Sequence, residues 1–279
     1  MTKKKLEKVT KNQRMNRGDK TANLKYLRQL IAHLEYPSVS STSSIIPLTF
    51  GVSEIDNHLP WGGLMPAALH EIAAETSNDR PAALGFGAAL LGLASQKAPV
   101  LWCRSAENLY APGLELFQLN KDNLIFVNTS KNQQLLWSME EGLRSGALAA
   151  VLGEINIPTL AAARRLQLAA EDGNTLAFLI PSGNKKSYNS TLEPSIVTAA
   201  VTCWQVASAP SYHPLGPWPG QARWRLKLKR CRGGKSGEWL MEWCDDGETN
   251  RYTNQTACGF RLATTICDRP SRPAQAGSI

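Results

Sequence analysis

The residues best suited to chemistry form an alternating stretch, Arg223-Trp224-Arg225-Leu226-Lys227-Leu228-Lys229-Arg230. In a strand successive side chains point to opposite faces. Trp224, Leu226 and Leu228 therefore share one face, and Arg223, Arg225, Lys227 and Lys229 share the other. With Arg230, Arg232 and Lys235, the stretch 223–235 carries seven cations and no anion. Lined-up like charges repel. One reading is a solvated edge strand protected from aggregation by its charge. The other is a surface for phosphates, favoured because arginine forks onto phosphate oxygens.

Gly234-Lys235-Ser236 mimics the end of a phosphate-binding loop. That loop needs a glycine at 229, where Lys stands, and a helix after the serine to aim N–H groups at the phosphate. Here a strand follows, so 233–237 reads as a hairpin turn. A phosphate loop would instead belong between the strand at 68–73 and the helix at 82–95. Residues 73–81 read AAETSNDRP and lack the glycines and the lysine, while Glu75 and Asp79 would repel phosphate. Glu107 and Glu154 each follow an apolar strand, where parallel sheets bind ligands. The polar loop 181–194 carries Lys185 and Lys186 beside Tyr188, a charge-plus-stacking pair suited to single-stranded nucleic acid.

The elements that position these residues follow from hydrophobic period. Apolar runs at 68–73, 100–103, 124–128, 147–152 and 175–180 alternate with helical patterns at 82–95, 113–119, 132–145 and 159–172. Continuous apolar strands between helices indicate an α/β fold with a mainly parallel sheet covered on both faces. Past residue 195 the pattern turns to alternating strands at 201–207, 222–232 and 238–244, the last two forming an antiparallel hairpin, with a further strand at 259–267.

Composition bounds the function. The 279 residues have 43% hydrophobic content and a net charge of +8, a globular rather than disordered composition. Residues 1–28 hold ten basic and two acidic groups, so the rest of the chain is neutral and does not coat nucleic acid uniformly. Residues 1–21 read as a disordered basic tail. Residues 22–36 form an amphipathic helix on Leu24, Leu27, Leu30, Ile31 and Leu34, and 37–47 form a Ser/Thr-rich linker. The six cysteines lack a CxxC pair, and the four histidines have no ligand-like spacing, so no metal is expected. No signal peptide is expected, and the longest apolar run, 82–94, is too short for a membrane span. A cytoplasmic protein is expected.

Several blocks together carry a family resemblance. They are FGVSEIDNHLPWGGL (50–64), LHEI (69–72), LWC (101–103), LYAPGL (109–114), WSMEEGLRSGALAAV (137–151) with Gly153-Glu154, ARRLQLAA (163–170), and RWRL (223–226) with RCRGGKSGEWL (230–240). Over roughly 48–245 the chain resembles the ImuA family, RecA-like accessory proteins of the bacterial inducible mutagenesis cassette. The resemblance implies a RecA-like core of P-loop type over 48–245 with a degenerate phosphate loop. In it Ala74 and Asp79 replace glycines, Arg80 the lysine and Pro81 the hydroxyl. It implies Glu75, Thr76, Ser77 and Arg80 as the remnant nucleotide site, with Glu107 near a catalytic glutamate and Glu154 at a Mg²⁺-associated acid.

The resemblance also implies SOS-induced translesion synthesis, with ImuB, an error-prone replicative-type polymerase, a RecA filament, DNA and self-association as partners. It further implies that the basic strand and the 181–194 loop face nucleic acid or a filament neighbour. Without the cradle, neither ATP nor Mg²⁺ is expected as a cofactor and catalysis is not expected. The alternatives are a DNA-stimulated ATPase and a SulA-like inhibitor of cell division. Residues 246–279 are assigned to partner binding.

Overall fold

The computed structural model describes residues 46–105, 109–155, 159–182, 199–211, 220–244 and 259–263. All belong to the unit that begins at Ile46. The expected tail and N-terminal helix, most of the linker, Glu107, Lys185, Lys186 and most of 246–279 lie outside the described residues.

Among the described residues nine strands form one sheet: β1 (Leu69–Ala74), β2 (Val100–Arg104), β3 (Leu124–Asn128), β4 (Ala150–Ile155), β5 (Leu176–Pro181), β6 (Thr202–Ser208), β7 (Arg223–Cys231), β8 (Gly237–Cys244) and β9 (Gly259–Leu262). Their order is β3-β2-β4-β5-β1-β6-β7-β8-β9. The first six run parallel, and β7, β8 and β9 are added antiparallel. The α-helices among the described residues are α1 (Ser53–Asp56), α2 (Arg80–Ala94), α3 (Asn132–Arg144) and α4 (Leu160–Asp172). The α/β architecture read from periodicity is therefore present, with the inner parallel strands β2, β4, β5 and β1 largely buried and the edge strand β3 partly exposed.

The helix α2 is apolar around most of its circumference, which requires cover on two sides. The sheet supplies one side, through Ile72, Leu152 and Ile180 around Gly87. Aromatic side chains supply the other. Phe86 packs against Trp224 and Phe260, and Phe117 and Trp224 close over Gly85. The inner faces of β7–β9 thus carry Trp224, Leu226, Met241, Trp243 and Phe260 into the same core as α2. On the opposite sheet face α3 and α4 bury Leu135, Met139, Leu143, Ala163 and Leu166 against Leu101, Val151 and Leu179.

His70 is fully buried on β1. Its Nδ1 lies 2.7 Å from Thr202 Oγ1, and its Nε2 lies 2.8 Å from the Met65 carbonyl. Burial pushes its pKa down to about 4, against the smaller opposing effect of the Met65 carbonyl. It is a neutral bridge in the core. Burial likewise pushes the Cys103 thiol up to about 12, so it stays protonated.

Several boundaries differ from those read in the sequence. The fourth strand covers Ala150–Ile155, not 147–152. Gly146, at φ 62°, carries the chain out of α3 before pairing begins, and an unbroken apolar run gives no period to mark the start. Glu154 therefore lies inside β4 rather than in the loop after it. The helix expected at 113–119 is a 3₁₀ segment, Ala111–Phe117. The strand expected at 259–267 is present as β9, which pairs with β8 and buries Phe260. No helix among the described residues is long and apolar enough to cross a membrane.

A Cβ at Gly92 would overlap the carbonyl oxygen of Phe117, a backbone atom. Gly92→Ala gains about 1 kcal/mol of helix propensity but forces α2 off the 3₁₀ segment, an overpacking cost of roughly 1–3 kcal/mol or more. The expected outcome is a lower urea unfolding midpoint. A raised midpoint contradicts this packing.

Candidate functional site

The carboxyl ends of β1, β4, β5 and β6 meet at the turn from β1 into α2. Such crevices are where open parallel sheets place their ligand sites. The turn is Glu75-Thr76-Ser77-Asn78-Asp79, and α2 begins at Arg80 with Pro81 in its first turn. Proline suits that position because its missing N–H would have no helical partner.

Every charged group of the turn is engaged by the chain itself. Arg80 Nη2 donates to Glu154 Oε2 at 2.7 Å, and Nη1 donates to the Pro181 carbonyl at 3.2 Å. Trp102 Nε1 donates to the other Glu154 oxygen at 2.9 Å. Glu154 is buried, with 7% of its side chain exposed, and Trp102 is fully buried. Asp79 is buried as well. Its Oδ1 accepts from the Ser208 N–H at 3.0 Å and the Ser208 hydroxyl at 2.9 Å. Its Oδ2 accepts from the Thr76 N–H at 3.0 Å and from the Thr76 hydroxyl. Burial pushes the Asp79 carboxyl up, but the hydrogen bonds from Thr76 and Ser208 outweigh it and hold the pKa below its ordinary 3.8.

The third carboxylate reaches the basic strand. Glu75 Oε2 accepts from Arg225 Nη2 at 2.5 Å, and Oε1 accepts from Lys227 Nζ at 3.1 Å. The Arg225 hydrogen bond, with help from Lys227 and against the cost of burial, holds Glu75 below its ordinary 4.5. Glu238 stands 3.9 Å from Arg225 and 3.8 Å from Lys227.

The basic strand alternates as expected through Leu228, with Trp224, Leu226 and Leu228 buried. The register between β6 and β7 then shifts, passing from Trp204 opposite Leu228 to Cys203 opposite Arg230. Lys229 is the extra residue, so Lys229 and Arg230 are both exposed before Cys231 turns inward. Arg223 pairs with Glu242 at 3.4 Å, and Arg261 of β9 reaches the other Glu242 oxygen at 3.4 Å. Arg230 donates to the Ala200 carbonyl at 2.7 Å and Arg232 to that of Ala199 at 3.4 Å. Thr76 and Ser77 are exposed at the tip of the turn. Gly233-Gly234-Lys235-Ser236 forms the β7–β8 turn, with Gly234 N–H donating to the Cys231 carbonyl at 3.2 Å.

The structure therefore brings Glu75, Arg80 and Glu154 to one edge of the sheet and joins Arg225 and Lys227 to it. Arg223, Arg230 and Arg232 stand further along the strand. Sequence reading missed Trp102, Ser208 and the Pro181 carbonyl. Nothing local marks them, since their roles follow from β2, β5 and β6 lying beside β4 and β1. Among the described residues no group of three or more His, Cys, Asp or Glu could hold a metal ion.

The depressed carboxyls set an acid sensitivity. A carboxyl lowered in the folded state adds stability that is present above its unfolded value and lost as the pH falls through the folded one. Glu75 and Asp79 thus stabilise the turn fully above about pH 4.5 and progressively less below it. Asp79→Asn is expected to cost roughly 1–3 kcal/mol at pH 7. The gap to the unsubstituted protein should narrow at pH 3.5 in urea titrations. A gap independent of pH contradicts the assignment.

No protein-family profile matches the chain. "Protein ImuA" of Caulobacter vibrioides strain NA1000 / CB15N is 31% identical over 243 residues, spanning 82% of this chain and 94% of that protein. The same protein of strain ATCC 19089 / CIP 103742 / CB 15 gives the same figures. The crystal structure of SulA from Pseudomonas aeruginosa aligns over 42% of this chain and 100% of its own, at 25% identity and a TM-score of 0.37. With about a third of residues identical across nearly the whole of the Caulobacter protein, the chain belongs to the ImuA family.

Proposed function

We propose that this chain is a RecA-like accessory protein of the SOS-induced mutasome. It acts as an adaptor for error-prone translesion synthesis rather than as a nucleotide-driven motor. Its partners in this reading are ImuB, the error-prone replicative-type polymerase, a RecA filament and DNA. Family membership supports the process. The parallel strands, the helix that follows β1 and the acid at the end of β4 support the RecA-like core.

The observation that carries the adaptor reading is the self-satisfied β1–α2 turn. In a phosphate loop, backbone N–H groups and a lysine stand open toward phosphate. Here the cation Arg80 is bound to Glu154, and the Asp79 carboxylate takes the N–H groups of Thr76 and Ser208. Glu75 and Asp79 add negative charge where a triphosphate would need the reverse. The residues of the turn do not fit a nucleotide phosphate, and no step of the proposed role passes through ATP or Mg²⁺.

Co-purification tests the reading. The full chain mixed with ImuB and the polymerase is expected to yield the same complex with and without Mg·ATP. A complex that assembles only with Mg·ATP would favour a nucleotide-driven ATPase and contradict the adaptor.

A further inference from the structure

Among the described residues, the outer face of the antiparallel strands holds more cations than anions. Arg223, Arg225, Lys227, Lys229 and Arg230 of β7 and Arg261 of β9 share it with Glu238 and Glu242 of β8. A third acid, Glu75, belongs to the β1–α2 turn, some 150 residues earlier in the chain, and reaches across β6 to hold Arg225 and Lys227. Both cations stay partly open to solvent, at 48% and 31% side-chain exposure. Ion pairs this exposed are individually weak, so a stronger anion can displace the carboxylate.

We infer that this face binds the phosphate backbone of duplex DNA and that Glu75 is its built-in competitor. The inference deepens the proposed function and rests on it only for DNA as the natural polyanion. Two observations favour a nucleic-acid backbone over an acidic protein. Protein interfaces are anchored by exposed apolar or aromatic side chains, and none of the exposed large hydrophobics among the described residues lies on β7, β8 or β9. Of the aromatic rings on these strands, Trp224, Trp243 and Phe260 are buried in the core that holds α2, and Trp239 is half-buried on the same inner face against His58 and Trp204. That leaves no platform for stacking unpaired bases and points to sequence-independent backbone contact. Lys229 and Lys235 extend the charge toward the hairpin turn, where both are exposed.

Fluorescence anisotropy of the full chain with a short labelled duplex, across a salt series, tests this. Glu75→Gln is expected to tighten binding several-fold and to steepen the log–log salt dependence by about one to two units, as two further cations meet phosphate. Lys229→Glu combined with Lys235→Glu should weaken binding about tenfold and flatten that slope. Should Glu75→Gln loosen the turn, Glu238→Gln, whose contacts are long and exposed, is expected to tighten binding in the same direction. Glu75→Gln and Glu238→Gln both leaving affinity and slope unchanged overturns the inference. So does poly-glutamate binding as tightly as a duplex of equal charge. Neither result touches the Mg·ATP-independent co-purification with ImuB, so the two readings fail separately.

Discussion

A carboxylate buried at the end of a parallel strand must be paired, because removing one partner of a buried ion pair leaves a charge with no solvent to receive it. Glu154 is that carboxylate. One oxygen takes the indole N–H of Trp102, and the other takes the guanidinium of Arg80. Much of the local architecture follows from this contact. Arg80 is the first residue of α2, so the ion pair sets where the helix starts above β4 and β5. The same guanidinium caps the Pro181 carbonyl at the end of β5. With the helix start fixed, the turn from β1 is short, and its remaining charges must find partners nearby. Asp79 finds Ser208 at the end of β6, and Glu75 finds Arg225 and Lys227 on β7. The result is a line of polar contacts across the carboxyl edge of the sheet, joining its parallel and antiparallel parts.

That arrangement gives the basic strand a different meaning from its composition. A run of cations suggests an open phosphate surface. In the folded chain Arg223, Arg225 and Lys227 are each met by a carboxylate, while the bulge at Lys229 breaks the alternation near the turn. Carboxylates meet the charge at one end of β7, and at the other Lys229 and Arg230 are exposed, with Arg230 donating to the Ala200 carbonyl. A polyanion approaching this face competes with the protein's own acids, which tunes affinity without removing the charge.

Much of the fold was legible because its signals are local. Apolar runs flanked by helical patterns specify a parallel sheet, and the alternation in 223–228 placed Trp224, Leu226 and Leu228 inward. The turn of AAETSNDRP was legible as something other than a phosphate cradle, since it lacks glycines and lysine. The start of β4 was not legible, because Ala147 to Leu152 is apolar throughout and carries no register. Nor was the bulge, which is set by pairing with β6. The contacts that define the site join residues 74 and 150 positions apart, as in Arg80 to Glu154 and Glu75 to Arg225. Such pairs depend on strand order, and the residue types alone marked Glu75 and Asp79 only as charges hostile to phosphate.

The central claim is that the β1–α2 turn is satisfied by the chain itself and holds no place for nucleotide phosphate. Titration calorimetry of Mg·ATP into the full chain tests this most directly. The account predicts no saturable heat up to millimolar nucleotide. Saturable, Mg²⁺-dependent binding that disappears in Glu154→Gln would contradict it, because the acid would then be serving the metal rather than Arg80.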